Sequence, residues 1–581
     1  STSEPTVEYR NEKTRVQMLH TDPGFFSIFA FPLKEGNRAE ALRARNEVLV
    51  SESYARRTFG TGNALGQPLK LYREDDTVQM VVTGVYADIR HSTFKNPDII
   101  SSAYLNPMDA EWVDKDYSAG WDLYLLTREN SDLGARIPEM LSFAKENFWL
   151  FERGYAHEIK LEPLKEVYFS TLPSNDGTYN AGSYTLIYIL LSCAMAILAF
   201  AVINYINLST AQAAMRAREM ATRRLLGSSR REIVARLLGE SVVLCAFSMG
   251  VAVLLACIAQ PAFNRMLGSE VSIFTDITPA GVLALVAGTV ALGLISGWGP
   301  ALVISNYRPI EVVRGSFHRD TKMIYSKVLI GLQYAISIVL IGCSLVMERQ
   351  MNYMMSKDLG YRTENILEIE CRSVSSQGAT IARELEKIPG VERVGKVQAT
   401  PTRGGMNNSF PYNGRDLSVQ VFAGDSTFFQ MMDFRIVKDF HTASPNAIWV
   451  NETALRELEL AGDTTGITYW GTHHPIAGIV EDFHFRNLIT RPGPAFIRQV
   501  RWDPRYLLVQ LSPAEQGRTL RAIEAKFREL THGEPMVARF SQEVVKEWYA
   551  QQEQTARMIQ VFTLIAILIS ALGILAMATY F

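Results

Sequence analysis

Residues 204–241 read NYINLSTAQAAMRAREMATRRLLGSSRREIVARLLGES, and a long apolar run lies on either side of them. Within this stretch stand Arg216, Arg218, Arg223, Arg224, Arg230, Arg231 and Arg236. A chain that leaves one apolar segment, becomes strongly basic and turns apolar again reads as two membrane spans joined by a short loop. The rest of the sequence follows from testing that reading.

The chain has 581 residues and a formal net charge of -2, a near-neutral total that hides segregation. No charged residue lies between Asp176 and Arg216, Glu240 and Arg265, Asp276 and Arg308, or Lys327 and Glu348, nor after Arg557. Roughly 20 apolar residues span a bilayer core of about 30 Å, and each of these gaps is at least that long. Five such segments are too many for water-soluble cores, so the sequence specifies an integral membrane protein. Four of the five cysteines (Cys193, Cys245, Cys257 and Cys343) fall in the apolar segments, and Cys371 lies just beyond one. They read as small buried hydrophobes rather than as a disulfide or zinc framework. The start at Ser1 and the close of an apolar stretch at Phe581 read as a piece of a longer protein.

Loops rich in Lys and Arg stay on the cytoplasmic side. The loop quoted above is basic, the loop at 263–277 has Arg265 alone, and the next carries Arg308, Arg314, Arg319, Lys322 and Lys327. The alternation orients spans at about 183–208, 236–262, 278–304, 326–347 and 558–581, with the polar regions 1–180 and 350–555 outside. Within the basic loop, Ala214, Ala217, Ala221 and Leu225 share one helical face, with Arg216, Glu219 and Arg223 roughly opposite. Glu219 and Arg223 are an i,i+4 ion pair in the favourable order. Gly227 suits a helix end, and Ser229-Arg-Arg-Glu232 is a capping box that starts the next helix. Helix, break, new helix is a rigid bar. A topology anchor or an anionic-lipid contact explains the same charges, and both alternatives stand at this point.

The two exterior regions echo one another. Asp22-Pro-Gly-Phe-Phe with Phe31 matches Asp425-Ser-Thr-Phe-Phe with Phe434, and Val50-Ser-Glu-Ser matches Val450-Asn-Glu-Thr. Gly84-Val85 with Asp88 matches Gly478-Ile479 with Asp482, and Trp121-Asp122 with Tyr124-Leu-Leu matches Trp502-Asp503 with Tyr506-Leu-Leu. The preserved order predicts an internal duplication, as in many transporters. Val78–Val85 and Arg505–Leu511 read as strands, and 376–391 as a helix closed by Pro389-Gly390. The fold class is therefore membrane α-helical spans plus two extracytoplasmic α+β domains.

A search for chemistry finds little. There is no phosphate loop; Gly60–Gly66 reads as an ordinary turn. His473, His474 and His484 lack a completing carboxylate pattern and read as surface histidines rather than metal ligands. No catalytic residue, cofactor site or metal site is assigned. No basic patch interleaved with aromatics is present, so nucleic acid is not an expected partner. No ionisable residue sits inside a complete span, which argues against a proton or ion relay.

Asn204-Tyr-Ile-Asn-Leu-Ser-Thr-Ala211 followed by Arg216-Ala-Arg-Glu-Met-Ala-Thr-Arg-Arg-Leu-Leu-Gly227 resembles the signature of FtsX-like permeases, in the MacB/LolC/FtsX superfamily of ABC systems. Pro309-Ile-Glu-Val-Val-Arg-Gly315, Gln333-Tyr-Ala-Ile-Ser337 and Lys357-Asp-Leu-Gly-Tyr361 resemble segments that close the first half and open the second in duplicated members. The exterior regions resemble the MacB-like periplasmic core domain. The resemblance implies a layout of 1–181 core domain 1, 182–304 an FtsX-like membrane domain, 305–325 a cytoplasmic linker, 326–348 a span, 349–556 core domain 2, and 557–581 the start of a second FtsX-like domain. It implies a bacterial inner-membrane permease that hydrolyses no ATP itself and works with a separate cytoplasmic ABC ATPase. The coupling helix maps to about 211–227, with Arg216, Arg218, Glu219, Arg223, Arg224 and Gly227 as the coupling residues. Membrane lipid and an extracytoplasmic adaptor or peptide are further implied partners. The expected function is movement of an amphipathic substrate (a peptide, lipid or lipoprotein). The alternative is mechanical signalling to an extracytoplasmic partner such as a cell-wall hydrolase. Met220 where the family commonly has Ile is a mild departure.

Overall fold

The computed structural model describes residues 2–580 apart from 39, 61, 73–76, 90–91, 103–121, 130, 153, 155, 171–181, 268–270, 306–323, 413–414, 443, 460–465, 470 and 500–502. Trp121, Trp502, the Pro309–Gly315 motif and nearly all of the linker lie outside the described residues. The chain divides into two compact units, Ser1–Gly182 with Lys357–Tyr549 and Ser183–Ser356 with Ala550–Phe581.

Among the described residues the first unit holds two large sheets and a two-stranded one. Strands β1 (Thr2–Ser3), β2 (Thr6–Tyr9), β3 (Glu12–Arg15), β4 (Met18–Thr21), β5 (Leu33–Gly36), β6 (Glu47–Ser51), β7 (Pro68–Tyr72), β8 (Thr77–Tyr86) and β9 (Ile99–Ser102) form one, in the order β1-β4-β9-β6-β8-β7-β2-β3 with β5 also on β8. The run Val48-Leu49-Val50 is buried on both faces, as a central strand with covered faces should be. Helix α1 (Phe25–Ile28) and helix α2 (Glu52–Phe59) flank it.

The second sheet is built from β10 (Ile366–Glu370), β11 (Val391–Ala399), β12 (Met406–Tyr412), β13 (Arg415–Gly424), β14 (Ile436–Asp439), β15 (Ile448–Asn451), β18 (Ile476–Val480), β19 (Ala495–Gln499), β20 (Tyr506–Leu511) and β21 (Ala538–Phe540). A separate hairpin pairs β16 (Ile467–Tyr469) with β17 (Thr472–His474). The pairing pattern of the first sheet recurs here. Val50 lies opposite Val85 in a parallel pair and Ile99 in an antiparallel one; Val450 lies likewise opposite Ile479 and Phe496. β4 runs parallel to β9 as β13 does to β19, and β5 sits on β8 as β14 does on β18. The matched sequence pairs occupy equivalent junctions. Ser51 Oγ accepts from Tyr54 N at 3.2 Å, and Asn451 Oδ1 from Ala454 N at 2.9 Å. Asp88 accepts from Ser53 N at 3.0 Å, and Asp482 from Thr453 N at 2.8 Å. Short side chains at the caps and a carboxylate from the neighbouring strand satisfy the free N–H groups of each helix start.

The fourth sequence match does not carry over into structure. Tyr506–Leu511 is a buried strand, whereas residues 122–129 form no strand, and Leu123 and Leu126 are 84% and 72% exposed. Tyr124 instead places its ring 5.0 Å from Phe29 and 5.7 Å from Phe94.

β20 alternates between two cores. Leu507 and Val509 pack with Ile381 and Leu385 of helix α3 (Gly378–Leu385) and Ile523 and Phe527 of helix α4 (Gln516–Leu530), while Tyr506 and Leu508 join Phe422, Phe428 and Phe483 on the other side. Helix α3 is shorter than the expected 376–391: a 3-10 turn over Arg372–Gln377 precedes it, and the chain turns at Pro389-Gly390. Cys371 is fully buried, and burial pushes its thiol up to about 12.

Among the described residues, the second unit contains five helices long and apolar enough to cross a membrane, their spans covering Tyr184–Thr210, Arg230–Met266, Pro279–Leu302, Gly331–Ser356 and Ala550–Leu575. The helices themselves are α5 (Tyr184–Ala211), α7 (Arg230–Leu267), α8 (Pro279–Ser305), α9 (Ile324–Ser356) and α11 (Ala550–Tyr580). With little water to expel between apolar helices, close approach depends on small residues. A Cβ at Gly293 would lie 2.7 Å from the Val242 backbone, and one at Gly297 2.5 Å from Ser241 Oγ. Gln333 and Ser337 on α9 reach Ser570 on α11 at 3.2 and 3.1 Å, all three buried. Of the span cysteines, Cys193 is buried within the protein, whereas Cys343 faces outward on its candidate span.

Candidate functional site

The basic stretch forms its own helix. α5 ends at Ala211, Gln212 interrupts it, and helix α6 runs from Ala213 to Leu225 before α7 starts at Arg230. The break after α6 is built entirely by the short sequence there. Ser228 N donates to the Arg223 carbonyl and Gly227 N to that of Arg224, each at 3.1 Å. This double closure requires a residue at positive φ, and Gly227 supplies it at 104°. The capping box is formed as read: Glu232 N donates to Ser229 Oγ at 3.3 Å and Ser229 N to Glu232 Oε2 at 3.2 Å.

Met220 and Ala221 are buried, and Met220 packs with Ile233 and Leu237 of α7 and Ala301 and Ile304 of α8. The bar is thereby seated on two membrane helices. The expected apolar face is corrected at one end: Leu225 is 57% and Leu226 83% exposed. Leu225 is the last residue of α6 and Leu226 follows it, and neither joins the cluster around Met220.

The polar residues divide into two groups. Arg223 and Glu219 form the predicted pair, with 2.9 Å between Nη2 and Oε1, and both are open to solvent. Arg224 points back, its Nη1 donating to the Ser305 carbonyl at 3.5 Å at the C-terminus of α8, where a cation is favoured. Arg230 Nε donates to Ser305 Oγ at 3.4 Å. Arg216 and Arg218 lie in the helix, but their side chains are outside the described residues. Sequence reasoning missed Met220 and Ser305, because which face seats on which helix depends on packing between segments about 80 residues apart.

The histidines need one correction. His473 is exposed, but its neighbour His474 is buried, and its Nδ1 donates to the Asn446 carbonyl at 3.0 Å. His484 is half-buried. Gly60–Gly66, with Thr61 outside the described residues, joins α2 to β7 without regular structure.

Residues 191–309 match the FtsX-like permease C-terminal family model, and residues 1–135 match the MacB-like periplasmic core domain. By these matches the chain is similar to ABC-transporter-type permeases of the FtsX/MacB kind, a family whose members work with cytoplasmic ABC ATPases. Among solved structures, the periplasmic region of MacB from Actinobacillus actinomycetemcomitans is 9% identical, over 33% of this chain and 96% of that one, at a TM-score of 0.26. The extracellular domain of the ABC-type transporter YknZ from Gram-positive bacteria is 12% identical, over 30% of this chain and 98% of that one, at 0.24. No curated protein matches.

Proposed function

We propose that this chain is the inner-membrane permease of an ABC system in which α6 is the coupling helix. A separate ATPase, closing on ATP, pushes on the exposed side of the bar around Glu219 and Arg223, with Arg216 and Arg218 on the same helix. The observation that carries this reading is the construction of α6: a helix sealed at Gly227, fixed to α7 and α8 through Met220 and to α8 through Arg224, and presenting an ionic surface away from that seat. A helix so fixed transmits a push as rigid motion, whereas a loose basic anchor would absorb it. Its work goes to two extracytoplasmic domains, proposed as 1–181 and 349–556, that move an amphipathic substrate such as a peptide, lipid or lipoprotein.

The test uses the full-length permease in lipid nanodiscs with its genomically adjacent ATPase. ATP turnover that depends on the permease and is lost in Arg223→Glu supports the reading. Turnover indifferent to the permease would leave α6 as a topology anchor.

A further inference from the structure

The two sheets of the first unit share no hydrophobic cluster among the described residues: each cluster draws its members from the first exterior region alone or from the second alone. What joins them is polar. The hairpin β2–β3, turned by Arg10 and Asn11 at φ 48° and 68°, lies at the edge of the first sheet. From the second region, the turn after α4, with His532 and Gly533 at φ 53° and 90°, presents Glu534 to it. Thr6 Oγ1 donates to Glu534 Oε1 at 2.5 Å, and Lys13 Nζ lies 3.6 Å from Glu534 Oε2. Lys13 also donates to the Thr531 carbonyl at 3.5 Å, over the ring of Tyr72. Beside them, Arg15 Nη2 is 2.8 Å from Glu370 Oε2 on β10.

Glu534 is 3% exposed, and its hydrogen-bond and ion-pair partners, Thr6 and Lys13, come from the other region. A carboxylate is buried at large cost unless it is paired, but is well solvated once free. The joint is therefore either closed and paired or open and wet. Polar joints of this kind part more readily than hydrophobic ones. We propose that Lys13–Glu534 and Arg15–Glu370 form a releasable ionic clasp. While it is closed the two extracytoplasmic domains travel as one body, and when it breaks they move independently.

The clasp is testable on the full chain in nanodiscs without the ATPase. Nitroxides are attached through an unnatural amino acid at the exposed positions 56 and 518, one in each region, and their separation is measured by pulsed dipolar spectroscopy. The native clasp gives one narrow distance population, and Glu534→Gln or Lys13→Met broadens it about twofold or more. Hydrogen exchange in 6–15 and 531–537 accelerates by at least about tenfold in either variant, as expected for loss of a charged hydrogen bond. The double variant is no faster than the faster single one, because the two share one interaction. Continued protection of Val48–Val50 and Leu507–Val509 shows that the variants remain folded. A broad population in the unsubstituted clasp overturns the proposal. So do an unchanged population in Glu534→Gln and effects that multiply in the double variant.

Discussion

Arg223 Nη2 lies 2.9 Å from Glu219 Oε1, one helical turn away on the solvent side of α6, while the adjacent Arg224 is turned inward onto Ser305. Two neighbouring arginines thus have different physical roles, and substitutions can separate them. The exposed pair is worth about 0.3–0.5 kcal/mol to the helix. Arg223→Glu should abolish permease-dependent ATP turnover with little loss of stability. The swap Glu219→Arg with Arg223→Glu remakes the pair in reversed order. Failure of the swap to restore turnover would show that the charge at 223 is read by the partner; full restoration would show that helix stability alone mattered.

Gly227 is in the left-handed region with open space around its missing Cβ. Gly227→Val should therefore cost through the backbone alone, by about 1–2 kcal/mol. Gly227→Asn should cost less, since Asn tolerates this conformation. Denaturant titration of the full chain in mixed micelles would rank them. Equal costs for Asn and Val would contradict the assigned turn.

Glu368 has a fully buried carboxylate that accepts from Thr402 Oγ1 at 2.5 Å, Ser541 Oγ at 2.8 Å and Arg403 Nε at 3.0 Å. It ties β10 to the turn at 401–403 and to helix α10 (Ser541–Glu547). Glu368→Ala strands these donors, and by the cost of breaking buried pairs should destabilise the region around the second sheet by about 3–5 kcal/mol. Exchange of the β10 and β20 amides reads this directly. Unchanged protection would refute the role given to Glu368.

Burial lowers the affinity of His474 for a proton, and that of half-buried His484 likewise. In both cases the unfolded chain binds the proton more readily than the folded one. Stability is therefore fully present above about pH 6.5, the unfolded value, and is lost as pH falls below it. Thermal unfolding of the full chain between pH 7.5 and 5 should show this loss. His474→Gln should flatten it, leaving the contribution of His484. An equally steep profile in the variant would place the titrating group elsewhere.

Much of the architecture is local and was readable in the linear chain. Charge-free runs long enough to cross a bilayer mark the spans wherever they fold. Each expected span overlaps one long helix, though the helices extend up to nine residues further, to Ser356 rather than 347 and from Ala550 rather than 558. The break at Gly227 and the capping box at Ser229 are closed by residues within five positions of one another, so their chemistry is written in order along the chain. Two of the four exterior matches, those at Asp22 and Val50, likewise fall where a strand passes into a helix, and a third supplies the carboxylate, Asp88 or Asp482, that binds a helix-start N–H.

Packing between distant segments was not readable. The pattern placed Leu225 with Ala221 on the buried face, but the seat of α6 is set by where α7 and α8 lie, and Leu225 falls beyond it. His474 sits on a three-residue strand that looks polar, yet the Asn446 carbonyl opposite it makes burial tolerable. Tyr124-Leu-Leu carries the letters of a strand, whereas strand formation requires neighbours to pair with. Glu534 resembles any surface glutamate until Thr6 and Lys13 arrive from more than 500 residues earlier in the chain. Composition and local periodicity determined the membrane class, the spans and the bar. Tertiary structure alone decided which charges pair and which remain exposed, because pairing a charge depends on what the fold brings within hydrogen-bonding distance.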